Sequence, residues 1–117
     1  MAKCIAFQMT DAKTAFEHMD LESVCNYGSR AYGHSLHTWD EGERILCHCK
    51  NCGGYVLIQL SEFHSSSDDD DYYSDYFPVE SEAEADELNR KYGGFEIESK
   101  FEGRYLIRDS SEPHWMN

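Results

Sequence analysis

The sequence is poor in basic residues and contains no long apolar segment. Its 10 Lys and Arg residues stand against 23 Asp and Glu, which gives a formal net charge of −13 at pH 7. Nowhere do about 18 apolar residues occur together, as a membrane-spanning helix requires. The N-terminal MAKCIAFQMT also lacks the basic and then apolar pattern of a signal peptide. We therefore expect a cytoplasmic protein that nucleic acids and anionic membranes repel.

The motifs of several enzyme classes are also missing. There is no HExxH sequence and no deaminase-type combination of HxE with PCxxC, the patterns that prepare a metal for catalysis. We expect the pairs Gly53-Gly54 and Gly93-Gly94 to lie in a turn and at a helix end, and not in a nucleotide-binding loop. The serines at 65–67 precede aspartates, a context that does not activate a nucleophile. These absences favour a non-enzymatic function.

Apolar and aromatic residues are abundant enough for a folded domain. Hydrophobic residues make up 40% of the chain and aromatic residues 14%, so burial can offset the loss of chain entropy. A chain of 117 residues suits one hydrophobic core. We predict a single domain, residues 1–117, of the α+β class, with an antiparallel sheet of about five strands and two helices.

Two segments have the periodicity of an amphipathic helix. The apolar positions of residues 11–19 repeat at helical spacing after Thr10. In SEAEADELNRKYGG, Ser81 and Glu84 form a capping box, and the apolar positions that follow predict a helix over residues 81–92.

The remaining apolar segments are predicted to be strands, because they alternate or are rich in β-branched and aromatic residues. They are residues 3–9, residues 34–39 and 43–49 joined by a turn at 40–42, residues 55–64, residues 72–77, and residues 95–101 and 104–109 joined by a turn at 102–103. The continuous apolar run at 55–58 indicates a strand that is buried on both faces. The tract SSSDDDD, residues 65–71, is predicted to be a solvated acidic loop.

Three of the five cysteines lie in CHCKNCGG, residues 47–54. Cys49 and Cys52 have the spacing of a zinc knuckle, in which two thiolates grip one ion from a tight turn. The backbone amides of such a turn can point at the sulfur atoms, and Gly53 lets the chain reverse without a clash. One predicted strand enters the motif and another leaves it, so the knuckle is expected at the tip of a hairpin.

On these residues the sequence resembles zinc-ribbon and rubredoxin-like modules, over about residues 34–60. The resemblance implies a zinc-ribbon-like hairpin and a structural zinc ion with four ligands. The sequence has no second CxxC, so two ligands must come from elsewhere. The candidate ligands are Cys49, Cys52, His34, His37 and Cys47.

The histidines and Cys47 are candidates for different reasons. His34 and His37 have the spacing of a first ligand pair, whereas Cys47 shares a strand face with Cys49 in the proposed hairpin. Cys25 is a more remote candidate, and Cys4 is predicted to be a core residue. A thioredoxin-type redox pair is disfavoured, since glycines and a strand follow the CxxC where that motif needs a helix. A metal-free, simply buried knuckle remains an alternative.

Carboxylates are concentrated in the second half of the chain. Residues 62–87 hold 11 of them and no Lys or Arg, and they are interleaved with tyrosines. Such a surface attracts basic partners and can occupy the nucleic-acid channel of an enzyme, although a charge run is also often only a solvated face. The candidate partner-binding residues are Asp68, Asp69, Asp70, Asp71, Tyr72, Tyr73, Asp75, Glu80, Glu82, Glu84 and Glu87.

Size and charge resemble those of immunity proteins and of small bacterial or phage inhibitors of defence nucleases, without a shared motif. We therefore expect a non-enzymatic inhibitor that binds the basic surface of a nucleic-acid-processing enzyme. The alternative is a zinc-ribbon adaptor that mediates protein assembly, and a metal-dependent enzyme is the third interpretation.

Overall fold

The computed structural model describes residues 3–31, 39–64, 70–92, 97, 100–108 and 112–116. Within these residues lie a 3-10 helix, two α-helices and six strands. In chain order they are the 3-10 helix Ile5–Gln8, α1 (Ala12–His18), β1 (Leu21–Ala31), β2 (Trp39–Cys49), β3 (Tyr55–His64), β4 (Asp70–Val79), α2 (Glu82–Lys91), β5 (Tyr105–Arg108) and β6 (His114–Met116). The predicted α+β class is confirmed, with six strands instead of about five.

The strands follow one another across a single sheet in their order along the chain. Every neighbouring pair from β1 to β6 is antiparallel. Strand β3 lies near the centre, where Leu57 is opposite Leu46 of β2 and Phe77 of β4. The knuckle therefore joins two inner strands of the sheet.

Helical segments cover both faces of this sheet. On one face lies the segment of residues 3–20, which we call the N-terminal layer, and its Ala6 and Ala15 pack with Val56. On the other face α2 packs through Ala85 against Leu57 and other core residues. Because adjacent side chains of β3 point to opposite faces, its unbroken apolar run supplies both cores. The predicted two-sided burial of residues 55–58 is thus confirmed.

Helix α2 has Ser81 as its N-cap, as predicted, but the Glu84 carboxylate bonds the N–H of the residue before the cap. The Ser81 hydroxyl oxygen accepts a hydrogen bond from the Glu84 backbone N–H at 3.1 Å, and the Glu84 carboxylate accepts one from the Glu80 N–H at 3.2 Å. At the other end the buried Arg44 donates to the Tyr92 carbonyl oxygen at 2.6 Å, and its Nε donates to Gln59 at 2.7 Å. A cation at the carboxyl end of a helix also suits the helix dipole.

The predicted strand at residues 3–9 is wrong, since residues 5–8 form a 3-10 helix. Ile5 is 46% exposed, whereas Ala6 and Phe7 are buried in succession. Two consecutive buried residues do not fit a strand with one solvated face, and they do fit a short helical turn that lies on the sheet.

The predicted turn at residues 40–42 is also wrong. Glu41 and Gly42 belong to β2 and pair with Ala31 and Arg30 of β1. The register against β3 shifts between Trp39 and Gly42, so the residues that suggested a turn accompany a strand irregularity instead. Residues 34–38 lie outside the described part of the chain.

The terminal hairpin predicted over residues 95–109 is wrong in its first half. Ile97 and Lys100 are helical, and the Phe101 N–H donates to the Ile97 carbonyl at 2.9 Å. Strand β5 pairs instead with β4 and β6. Ile97 packs into the core and Phe101 packs beside it. This tertiary packing outweighs the alternation of apolar and polar residues that predicted a strand.

The acidic loop predicted at residues 65–71 ends earlier than expected. Asp70 and Asp71 already belong to β4, opposite His64 and Phe63 of β3. The predicted strand at 72–77 is therefore part of a longer strand, and residues 65–69 lie outside the described residues.

Candidate metal centre

The knuckle forms where β2 ends at Cys49 and the chain reverses toward β3. Gly53 has a φ of 81°, a conformation that favours glycine, and its N–H donates to the Cys49 carbonyl at 2.8 Å. The Cys49 N–H in turn donates to the Gly54 carbonyl at 2.8 Å. These bonds close the tight turn that the CxxCGG sequence predicts.

Backbone amides surround the Cys49 sulfur. Burial raises the pKa of this thiol, but hydrogen bonds from the backbone N–H groups of Asp20, Cys52 and Asn51, with a side-chain bond to Cys52, outweigh burial and lower the pKa. Amides that point at a sulfur stabilise its thiolate form, which is the form that binds a metal. Two of the three amides belong to the knuckle itself.

The N-terminal layer brings Cys4 to the same point. Cys4 is fully buried, and its sulfur lies 3.4 Å from that of Cys52. Burial is the main cause that raises the pKa of Cys4 to about 12. The backbone passes so close to the knuckle that a Cβ on Gly54 would lie 2.3 Å from the Cys4 nitrogen. Only glycine at position 54 allows this crossing.

His18, the last residue of α1, reaches the centre from another direction. The Asn51 side chain donates to the His18 carbonyl oxygen, and the Lys50 N–H donates to the Asp20 carbonyl at 2.8 Å. The end of α1 is therefore attached to the knuckle through both main chain and side chain. The His18 Nε2 atom is buried and has no hydrogen-bond partner among the described residues.

A compact group of potential ligand atoms is formed by the side chains of Cys4, His18, Cys49 and Cys52. Three sulfurs and one imidazole nitrogen all lie within 4.8 Å of one another. A tetrahedral zinc ion with Zn–S bonds of about 2.3 Å separates its ligands by roughly 3.5 to 3.8 Å. The group needs only small adjustments to reach that geometry, and a metal would give the unpartnered Nε2 of His18 a bond. The residues therefore fit a metal ion.

Sequence reasoning identified half of this group. Cys49 and Cys52 lie together as predicted, but Cys47 is buried in the core beside them and outside the group. Cys25 is exposed on β1, and His34 and His37 lie outside the described residues.

Cys4 and His18 are the ligand candidates that the sequence did not indicate. Cys4 is a core residue, as predicted, but its sulfur also faces the knuckle. His18 carries no local spacing signal, because helix and knuckle meet only in the folded chain. The one available hint was that a lone CxxC leaves two ligand positions to be filled.

The predicted partner-binding residues fall into three groups. Asp68 and Asp69 lie outside the described residues, and residues 70–73 belong to β4. Asp75 is only 3% exposed, so its carboxylate is not part of an exposed surface. On and next to α2, the exposed residues are Glu80, Glu82 and Glu87, and Glu84 is half-buried in the capping box.

Among the described residues, none of the helices has the length and apolar character needed to cross a membrane. A comparison of the chain with protein-family models, with curated proteins and with solved structures finds no match. A zinc ribbon uses two knuckles, whereas the other two members of this candidate group, Cys4 and His18, come from the N-terminal layer.

Proposed function

We infer that the protein is a non-enzymatic binding protein whose N-terminal layer is fixed by a structural zinc ion. The observation that carries this inference is the group of Cys4, His18, Cys49 and Cys52, with its unpartnered buried nitrogen. Three cysteines and one histidine are a usual ligand set for structural zinc. When bound, the ion would supply a crosslink between the N-terminal layer and the knuckle.

The ligand count supports a structural role over a catalytic one. A catalytic zinc keeps one coordination position for water or substrate, whereas four protein ligands fill a tetrahedral site. Two of the four candidate ligands, Cys4 and Cys49, are also fully buried, which limits the approach of a substrate.

Elemental analysis of protein purified without added zinc tests the inference. We expect about one zinc ion per chain, and its loss in Cys49→Ser and in His18→Ala. Matched controls are Cys25→Ser, which removes an exposed thiol on β1, and His48→Ala, which removes a histidine that contacts Tyr55. Both controls should keep the metal. A parent protein with much less than one ion per chain would contradict the zinc site.

We further propose that the acidic surface around α2 binds a basic partner, in the manner of an inhibitor of a nucleic-acid-processing enzyme. Glu80, Glu82 and Glu87 are exposed on or beside an ordered helix, and Asp86 accepts a hydrogen bond from the Tyr27 hydroxyl. Carboxylates on a rigid element lose little freedom on binding, which favours an electrostatic partner. Glu87 contributes less, because it is paired with Lys91 at 2.7 Å.

Charge reversal tests this second proposal against a matched control. The variant Glu80→Lys/Glu82→Lys should lose a captured basic protein in pull-down experiments, and capture by the parent should fall between about 50 and 500 mM salt. Glu17→Lys/Glu22→Lys makes the same change in net charge at exposed positions of α1 and β1 and should retain the partner. Salt-insensitive capture that survives the reversal on α2 would favour an assembly adaptor instead.

A further inference from the structure

Cys52 contacts both other sulfurs of the candidate centre, because it makes a side-chain hydrogen bond with Cys49 as well as with Cys4. The Cys52 S–H donates to the Cys4 sulfur at 3.4 Å, between residues 48 positions apart in the chain. A disulfide requires an S–S distance of about 2.05 Å, so the two atoms need to approach by little more than an ångström. Cys52 is half-buried, whereas Cys4 is fully buried. A small oxidant therefore reaches Cys52 first.

The third sulfur is less free to take part. Cys49 is fully buried, and its sulfur accepts hydrogen bonds from the backbone N–H groups of Asp20, Asn51 and Cys52. A disulfide from Cys49 would give up these three bonds. The Cys4 sulfur accepts one backbone hydrogen bond, from Ala6, so it has less to lose by turning toward Cys52.

We propose that Cys4 and Cys52 form a modification site, at which a peroxide makes a disulfide that replaces zinc as the crosslink between the N-terminal layer and the knuckle. The replacement of zinc rests on the proposed structural zinc site. The choice of sulfur pair rests on the 3.4 Å contact between Cys4 and Cys52, together with the three backbone hydrogen bonds that hold the Cys49 sulfur in place. A two-electron oxidant converts a thiol to a sulfenic acid, which then reacts with a second thiol to form the disulfide.

The reaction balances with hydrogen peroxide as the oxidant. The Cys52 thiolate attacks one peroxide oxygen, the O–O bond breaks, and a sulfenic acid and hydroxide form. The Cys4 thiolate then attacks the Cys52 sulfur, the S–O bond breaks, and a second hydroxide leaves. Two protons convert the hydroxides to water. The two sulfurs lose two electrons in total, the peroxide gains them, and the zinc ion leaves with its charge unchanged.

The choice of cysteine pair decides what happens to the N-terminal layer. A disulfide between Cys49 and Cys52 would lie within one turn and would leave residues 3–20 held by hydrogen bonds and packing alone, with no covalent link to the knuckle. A disulfide between Cys4 and Cys52 instead ties that layer covalently to the hairpin after the metal has left. Oxidation would therefore release zinc and preserve the docking of the N-terminal segment.

The test uses the Cys25→Ser protein, which lacks the exposed thiol on β1. It is treated with hydrogen peroxide in the presence of a chromogenic zinc chelator and then digested with trypsin without reduction. Cleavage after Lys3, Lys13, Arg44, Lys50 and Arg90 places Cys4 in peptide 4–13, Cys47 and Cys49 together in peptide 45–50, and Cys52 in peptide 51–90. Fragmentation of peptide 45–50 in the mass spectrometer distinguishes its two cysteines. Each candidate disulfide therefore links a different pair of peptides.

We expect peptide 4–13 to be linked to peptide 51–90, with one zinc ion released for each disulfide. Linkage of peptide 45–50 to peptide 51–90, or sulfinic acids without linkage, would overturn the proposal. Zinc content measured before oxidation separates the two proposals. If the protein contains no zinc, the zinc site and the exchange both fail, but the same digest of the metal-free protein still decides which sulfurs pair.

Discussion

Gly54 shows how one residue controls the assembly of the candidate centre. A Cβ at this position would lie 2.3 Å from the Cys4 nitrogen and 2.4 Å from its Cα. Both are backbone atoms that cannot rotate away, so any side chain at position 54 must push the N-terminal layer outward. Gly54 is not a candidate ligand, but it allows Cys4 to approach the knuckle.

We predict that Gly54→Ala weakens zinc binding by about 10- to 100-fold, the range found when residues that position metal ligands are changed. A competition titration against a chromogenic chelator measures the change. Gly28→Ala is the matched control, because Gly28 has a φ of 85° and nothing within 4 Å of the added Cβ. That variant should lose about 1 to 2 kcal/mol of stability and keep its zinc affinity. Equal affinity in the two variants would contradict the crowding argument.

At the residue scale, the sequence indicated the members of the candidate group that are close in the chain and not those brought together by folding. Cys49 and Cys52 were predicted because a two-residue spacing is itself a property of a knuckle. Strands β1 and β2 separate Cys4 and His18 from the knuckle along the chain, and no spacing rule connects these two residues to it. Asp75 was misjudged for a related reason, since its strand position buries a carboxylate that composition alone assigns to the surface.

At the element scale, α2 is the segment whose local signals agree best with its structure. Its N-cap is Ser81, and Glu82 and Glu84 lie in its first turn. Basic residues, Arg90 and Lys91, lie in its last turn, and both charge signs suit the helix dipole.

We predict that Ser81→Ala lowers the free energy of unfolding by about 1 kcal/mol, because the Glu84 N–H loses its hydrogen-bond acceptor. Urea denaturation measures the change. Ser23→Ala, at an exposed position of β1, should change stability by less than about 0.5 kcal/mol. Zinc content should stay at the parent level in both variants. A loss no larger in Ser81→Ala than in Ser23→Ala would show that the cap contributes little.

The elements that were predicted correctly combine periodicity with a boundary signal. Helix α2 has a capping box, and β3 has an apolar run that ends in polar residues. The two strands that were wrongly predicted, at residues 3–9 and 95–101, are short segments whose alternation was the only signal. In both, burial of neighbouring residues against the sheet decided the conformation, which is a tertiary effect that local patterns do not contain.

At the scale of the whole molecule, two cores share one sheet but differ in how their covering layers are held. Helix α2 follows β4 directly in the chain. It is also held to the sheet by the hydrogen bond from Tyr27 to Asp86 and by the buried Arg44, which donates to the Tyr92 carbonyl at the end of the helix. The N-terminal layer is attached at the candidate centre and at a second site. There Arg104 donates to the Met9 carbonyl at 2.9 Å, and the Trp115 indole N–H donates to the Thr10 carbonyl at 3.0 Å.

We predict that a strong zinc chelator frees the N-terminal layer before it unfolds the α2 side. Hydrogen exchange should then show lost protection over residues 3–20, with retained protection in β3, β4 and α2. Trp115 packs against Phe7 at a ring distance of 5.9 Å, so its fluorescence should shift to longer wavelength. The protein has two tryptophans, and Trp39→Phe isolates this signal. Simultaneous loss of protection throughout, or none at all, would contradict the layered arrangement.

The crossing of the N-terminal segment over the knuckle also sets an order of events during synthesis. Cys4 and His18 leave the ribosome first, but the partners they need are made only after β1 and β2. Domains begin to assemble from the amino terminus while translation continues. The N-terminal layer therefore cannot dock before these strands are made, and the Cys4 thiol stays exposed to solvent until the hairpin has formed. Metal binding by the nascent chain would therefore require that the N-terminal layer, β1, β2 and the knuckle have already folded together.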